Sequence, residues 1–192
     1  MSPSHDRIRT VLIIGSTREG RFGPTVAAWV AEHARARPDL DVDLLDLAEA
    51  GLPAVLQREP DLQVRRFAAR IDQADALIVI TPEYNHGYPA PLKQAIDWLR
   101  DEWAAKPVAL VSYGGRSGGL RAVEQLRQVF AEVSAVPLRD TLSFHQAHTQ
   151  FRPDGTLKDP APVEAAAATL FDRLEWWARA LREARQVRPY AG

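Results

Sequence analysis

Five residues with phosphate-binding side chains crowd into one short stretch, GSTREGRFGPT, from Gly15 to Thr25. Ser16, Thr17 and Thr25 carry hydroxyls, while Arg18 and Arg21 carry guanidinium groups that match phosphate geometry. The stretch follows the apolar run Val11, Leu12, Ile13, Ile14 and precedes Val26, Ala27, Val30 and Ala34 at helical spacing. It therefore lies between a strand end and a helix N-terminus. Such a junction attracts anions, because first-turn N–H groups point outward unpaired and the helix dipole is positive there. Two better-known phosphate loops do not fit. The dinucleotide fingerprint G-x-G-x-x-G fails because Ser16 and Thr17 follow Gly15. The Walker loop fails because Arg21 and Phe22 stand where Lys and Ser/Thr are required, although Gly15 and Gly20 are correctly spaced. What remains is a loop suited to one phosphate monoester, with an ordinary polar turn as the plain alternative. Only Lys93, Lys106 and Lys158 are lysines among 24 basic residues, so one arginine carries little weight alone.

Two further loops are unusual. In TPEYNHGYPAP, Pro82 fixes φ, Gly87 and Pro89 shape a turn, and Glu83, Tyr84 and Asn85 sit between them. Tyr84 and Tyr88 are placed to cover a flat ring, with Asn85 and backbone N–H groups left for its polar edge. In SYGGRSGG, Ser112 and Tyr113 lead into Gly114, Gly115, Gly118 and Gly119, which let the backbone approach a ligand that side chains would block. A phosphate monoester at one end and a planar heteroaromatic ring at the other describe flavin mononucleotide, FMN.

Positioning these loops requires strands that end side by side. Strands are expected over residues 8–14, around Val42, Leu44, Leu45 and Leu47, over 76–80 and 108–111, and around Leu138, Leu142 and Phe144. Aspartates alternating through the second strand suggest an edge with one face in water. Helical stripes fill the gaps: residues 24–37; Val64, Phe67, Ala68 and Ile71; Leu92, Ala95, Ile96, Leu99 and Trp103; Val123, Leu126, Phe130 and Val133. A last helix over 161–185 places Val163, Ala167, Leu170, Leu174, Trp177 and Leu181 on its core face, leaving Trp176 to meet a partner chain. Strands alternating with helices make a doubly wound α/β parallel sheet, joined by right-handed crossovers. Five strands fit the flavodoxin-like order 2-1-3-4-5, whose ligand lies at the carboxyl ends beside the switch between strands 1 and 3. That order sets the loops after strands 1, 3 and 4 next to one another.

Composition narrows the classes. With 192 residues the chain reads as one domain, with residues 1–7 as a loose terminus. A net charge of −1 argues against non-specific nucleic-acid or membrane binding. Zero cysteines exclude disulfides, thiol catalysis and thiolate metal sites. MSPSHDRIRT has no apolar core of a signal peptide, and no apolar run approaches about 18 residues, so a cytoplasmic protein is expected. His145 and His148 read as part of a surface loop and Asp154-Gly155 as a turn; no metal site is expected. His86 is assigned no role.

The segments GSTREGRFGPTVAAWV, TPEYNHGYPAPLKQAIDWL and VSYGGRSGGLRAVEQLRQVF together resemble the NADPH-dependent FMN reductase family, which includes quinone, azo-dye and chromate reductases. The resemblance spans about residues 8–145, and PEYN followed by LKQAIDWL is its most specific part. It implies that Ser16, Thr17, Arg18, Arg21 and the backbone through Phe22, Gly23 and Thr25 hold the FMN phosphate. Pro82, Glu83, Tyr84 and Asn85 would line the isoalloxazine, and Ser112, Tyr113, Gly114, Gly115 and Gly119 would approach its pyrimidine edge. It implies further an NADPH or NADH donor and a quinone, azo compound, metal oxyanion or free flavin as acceptor. A homodimer, or a tetramer, is expected, with the flavin near the subunit interface. No catalytic side chain is expected, since the flavin carries the chemistry. The competing readings are a flavodoxin-like electron carrier and a flavin-binding module without nicotinamide oxidation of its own.

Overall fold

The computed structural model describes residues 7–190, so all but the last residue of the expected loose terminus lies outside the described residues. Five strands, β1 Ile8–Ile14, β2 Leu40–Asp46, β3 Ala76–Pro82, β4 Pro107–Tyr113 and β5 Val136–Phe144, form one parallel sheet in the order β2-β1-β3-β4-β5. This is the doubly wound, flavodoxin-like order expected of alternating strands and helices. Among the described residues no helix is long and apolar enough to cross a membrane.

Every residue of β3 and β4 is buried, because helices cover both faces of the sheet. Alternation divides each strand between two cores. Leu12, Ile14, Ile78, Ile80 and Val111 face α1 (Gly23–Arg35) and α6 (Ala161–Val187). Val11, Ile13, Leu77, Val79 and Leu110 face α2 (Leu62–Asp72), α3 (Ala90–Asp97) and α4 (Leu120–Glu132). β2 is the half-exposed edge its aspartates suggest, with Leu44 40% exposed. Asp61 caps α2 by accepting from the N–H groups of Gln63 and Val64, each at 2.9 Å.

Three local expectations are corrected. α1 stops two residues early, at Arg35. α3 stops at Asp97 rather than running through Trp103. The Ile96 carbonyl accepts from Leu99 N–H at 3.2 Å, a tighter turn than the α-helical one, and from the Trp103 indole at 3.1 Å. The Trp103 ring instead fills the core between Phe67 and Phe130. On α6 the buried stripe is Ala167, Leu170, Phe171, Leu174 and Ala178, so Trp177 is not a core residue but is 38% exposed. A short helix, α5 (Ala147–Gln150), and a bridge between Phe151 and Leu157 fill the segment after β5.

Candidate functional site

Each special loop starts by bonding to the next strand. Gly15 N–H donates to the Ile80 carbonyl at 2.8 Å, Glu83 N–H to Tyr113 at 3.3 Å, and Gly114 N–H to Phe144 at 3.2 Å. The three loops therefore leave the same carboxyl edge as neighbours, as the strand order requires.

In the first loop the α1 N-terminus is prepared for an anion. Phe22 at the cap position makes no side-chain capping bond, and the first turn holds no acidic residue. Among the described residues no hydrogen bond engages the N–H groups of Thr17, Arg18, Phe22 or Gly23. Thr17 and Arg18 are exposed beside them. That donor set fits a phosphate. Ser16 and Arg21 are turned inward. Ser16 is fully buried and accepts from the Tyr113 hydroxyl at 3.1 Å; burial pushes that phenol up to about 12, so it stays a neutral donor. Arg21 forms a two-pronged pair with Asp46 at 2.5 and 2.6 Å and reaches the Ser16 carbonyl at 2.5 Å. The bond to Asp46 raises the Arg21 pKa against the opposing effect of burial. Both side chains thus brace the loop. Phe22 packs against Tyr113, His148 and Phe151. The Thr25 side chain faces a groove of about 810 Å³ between α1 and residues 152–157.

In the second loop Tyr84 and Gly87 exchange both backbone hydrogen bonds, at 2.8 and 3.1 Å, around Asn85 and His86. Both central residues have positive φ, 49° and 77°, as a type I′ turn demands. A histidine there is strained, and α4 holds it: Gln125 donates to the His86 carbonyl at 2.9 Å and Arg121 lies 3.0 Å from its Nδ1. Glu83 is directed into the protein rather than toward a ring. Its side chain is 4% exposed, accepts from Ser117 Oγ at 2.7 Å and from Arg121 N–H at 3.3 Å, and pairs with the Arg121 guanidinium. Burial pushes its carboxyl pKa upward, but the bonds from Ser117 and Arg121 outweigh that and hold it below the usual value. Tyr84 and Tyr88 are both half-buried and Asn85 is exposed, and Tyr88 packs against the edge of the core on the α2, α3 and α4 side of the sheet.

In the third loop the glycines divide by purpose. A Cβ on Gly119 (φ 88°) would meet Ser112 Cβ at 2.6 Å, and one on Gly118 would meet the His145 ring at 2.7 Å. Those two serve the turn. At Gly115 a Cβ would meet nothing within 4 Å, so this backbone faces open space. Ser112 is fully buried, bonded to the Gly118 carbonyl and to Ser143 Oγ, each at 2.8 Å. His145 and His148 diverge, the first bonding the Arg116 carbonyl at 2.9 Å and the second lying on Phe22.

Asp46, Ser117, Arg121 and Gln125 carry no local sequence signal. Each joins the site from a different element than the residue it holds.

Residues 8–149 match the family described as NADPH-dependent FMN reductase. An NAD(P)H-dependent FMN reductase of Schizosaccharomyces pombe is 34% identical over 148 residues, covering 70% of this chain and 72% of its own length. The quinone reductase of Escherichia coli K12 is 34% identical over 146 residues, covering 68% and 73% respectively. Among solved structures, the flavoenzyme NAD(P)H:(acceptor) oxidoreductase FerB from Paracoccus denitrificans superposes with a TM-score of 0.74 at 25% identity, covering 90% of this chain and 98% of its own.

Proposed function

Because the chain belongs to the NADPH-dependent FMN reductase family, we propose that it binds FMN across these three loops and passes electrons from NAD(P)H to a small quinone. The observation that carries the reading is the uncapped α1 N-terminus at the same carboxyl edge of the sheet as the open backbone of Gly115. A phosphate at the first and a flat ring at the second would span the same edge of the sheet. The N–H groups of Thr17, Arg18, Phe22 and Gly23, with the Thr17 hydroxyl and the Arg18 guanidinium, hold the phosphate end. Tyr84, Asn85 and the backbone from Pro82 to Gly87 hold one side of the ring, and Gly114 and Gly115 the other. Ser16, Arg21, Glu83, Ser112 and Tyr113 act as positioning residues behind them. Held there, FMN would supply the redox chemistry, hydride uptake from a nicotinamide and two-electron delivery to an acceptor. The protein supplies orientation and hydrogen bonds. Quinone is favoured as acceptor by the name of the Escherichia coli relative, and a homodimer by the resemblance of the loop segments.

The test is the visible spectrum of the purified protein with FMN, before and after anaerobic NADPH and then a benzoquinone. Rapid bleaching followed by return of colour is expected. Flavin that binds but stays oxidised would leave a carrier, and protein that binds no FMN would sink the assignment.

A further inference from the structure

The turn between Tyr84 and Gly87 carries a histidine where its geometry favours glycine. A type I′ turn prefers Asn-Gly at its centre; Asn85 meets that preference, but His86 stands in the second place at φ 77°. Glycine would adopt this backbone without strain, so the imidazole is held there at a cost. Two bonds from α4 fix it. Gln125 donates to the His86 carbonyl at 2.9 Å, and Arg121 Nη1 donates to His86 Nδ1 at 3.0 Å. Arg121 is itself anchored on the buried Glu83 carboxylate, which also accepts from Ser117 of the third loop. His86 therefore stands where the second and third loops meet, beside the slot proposed for the flat ring. A guanidinium can only donate, so Nδ1 is the accepting nitrogen and the proton of the neutral ring sits on Nε2. Among the described residues no hydrogen bond engages Nε2, and the residue is exposed. The turn thus presents one oriented N–H donor without a partner.

We propose that His86 is the acceptor-binding residue, its Nε2–H donating to one carbonyl oxygen of a quinone laid against that slot. This inference rests on the flavin reading above. Reduction of the quinone adds one hydride, carried by the flavin, and one proton, supplied by water, and gives the hydroquinone with no other reactant. Negative charge gathers on a quinone oxygen as the hydride arrives, and a donor already in place there lowers the barrier. In the other half of the cycle the nicotinamide loses hydride and becomes cationic, so the same donor gives that step no help. His86 acts on one half only. Arg121 and Glu83 are positioning residues for it, since they set which nitrogen carries the proton.

His86→Gly removes the donor and relieves the turn, so its melting midpoint is expected at or above that of the wild type, which keeps misfolding out of the comparison. In anaerobic stopped-flow with FMN bound, bleaching by NADPH is expected to be unchanged in His86→Gly. Recovery of colour with trimethylbenzoquinone is expected to slow roughly three- to tenfold, the worth of one hydrogen bond. His86→Gln, whose amide puts a donor near the place of Nε2, should regain most of that loss. A readout free of turnover is the nitrogen spectrum of histidine-labelled protein at about pH 8.5, where imidazole is ordinarily neutral. The His86 signals are those missing from His86→Gly. A proton on Nε2 is expected, and trimethylbenzoquinone added to the oxidised holoprotein without NADPH should move the Nε2 signal. A proton on Nδ1, an Nε2 signal that ignores the quinone, equal losses in both halves, or wild-type recovery in His86→Gly would each overturn the proposal. Protein that binds no FMN, or bound FMN that NADPH does not bleach, would instead sink the flavin reading and this inference with it.

Discussion

Single residues at this site divide into those that face a ligand and those that hold the loops in place. Gly23 does both: its N–H is among those proposed to meet the phosphate, while a Cβ there would lie 2.5 Å from Ser16 Oγ and 2.9 Å from the Tyr113 hydroxyl. Gly23→Ala is expected to destabilise by about 1–3 kcal/mol through overpacking and to weaken FMN binding, checked by thermal melting and a flavin titration. Glu83 makes a second case. Its carboxyl is held below the ordinary value, so it releases its proton more readily folded than unfolded. Its contribution is complete above the unfolded value of about 4.3 and is lost as pH falls through the lower folded value. Glu83→Gln, which keeps the shape and removes the charge, is expected to cost about 1.5–3 kcal/mol at neutral pH and nearly nothing in acid. Denaturant melts of both proteins in steps from pH 7 down to pH 2 would show whether the gap closes once the folded carboxyl is protonated.

Secondary elements here end where remote side chains end them. Lys106, 4% exposed, donates to the carbonyls of Ile71 and Asp72 at 2.6 and 2.7 Å and so closes the C-terminus of α2 from the start of β4. Burial pushes its ammonium down to about 8, partly offset by Asp72. The unfolded chain then holds more protons than the folded one between about pH 8 and pH 10.4, so this group makes stability rise with pH there, by at most about 1.4 kcal/mol per pH unit. In Lys106→Met that slope is expected to flatten, which urea unfolding at pH 8, 9 and 10 would reveal. Trp103 is the matching apolar case, buried between Phe67 and Phe130. Trp103→Ala is expected to cost about 3–5 kcal/mol, read as a lower urea midpoint at an unchanged slope.

At the scale of the whole molecule, the proposed ligand bridges loops from three strands, so its binding energy adds to the stability of the folded chain. FMN at a hundred times its dissociation constant should contribute about 2.7 kcal/mol, a rise in melting midpoint of roughly 5–11 °C for a chain of this size. A midpoint that does not move with FMN concentration would count against the site.

Read alone, the sequence determined the layered sheet, its strand order and the meeting of three unusual loops at one edge. Short apolar runs record burial within a few residues, and right-handed crossovers leave little choice of topology. What only the tertiary structure decided is the direction each loop side chain takes. Arg21 turns to Asp46, 25 residues away, Glu83 to Arg121, 38 residues away, and Ser16 to Tyr113, 97 residues away. The helix boundary at Asp97 and the exposure of Trp177 belong to the same class. Periodicity is a property of neighbours along the chain, whereas the partner of a polar group, or the space left for a ring, is set by residues that only folding brings near.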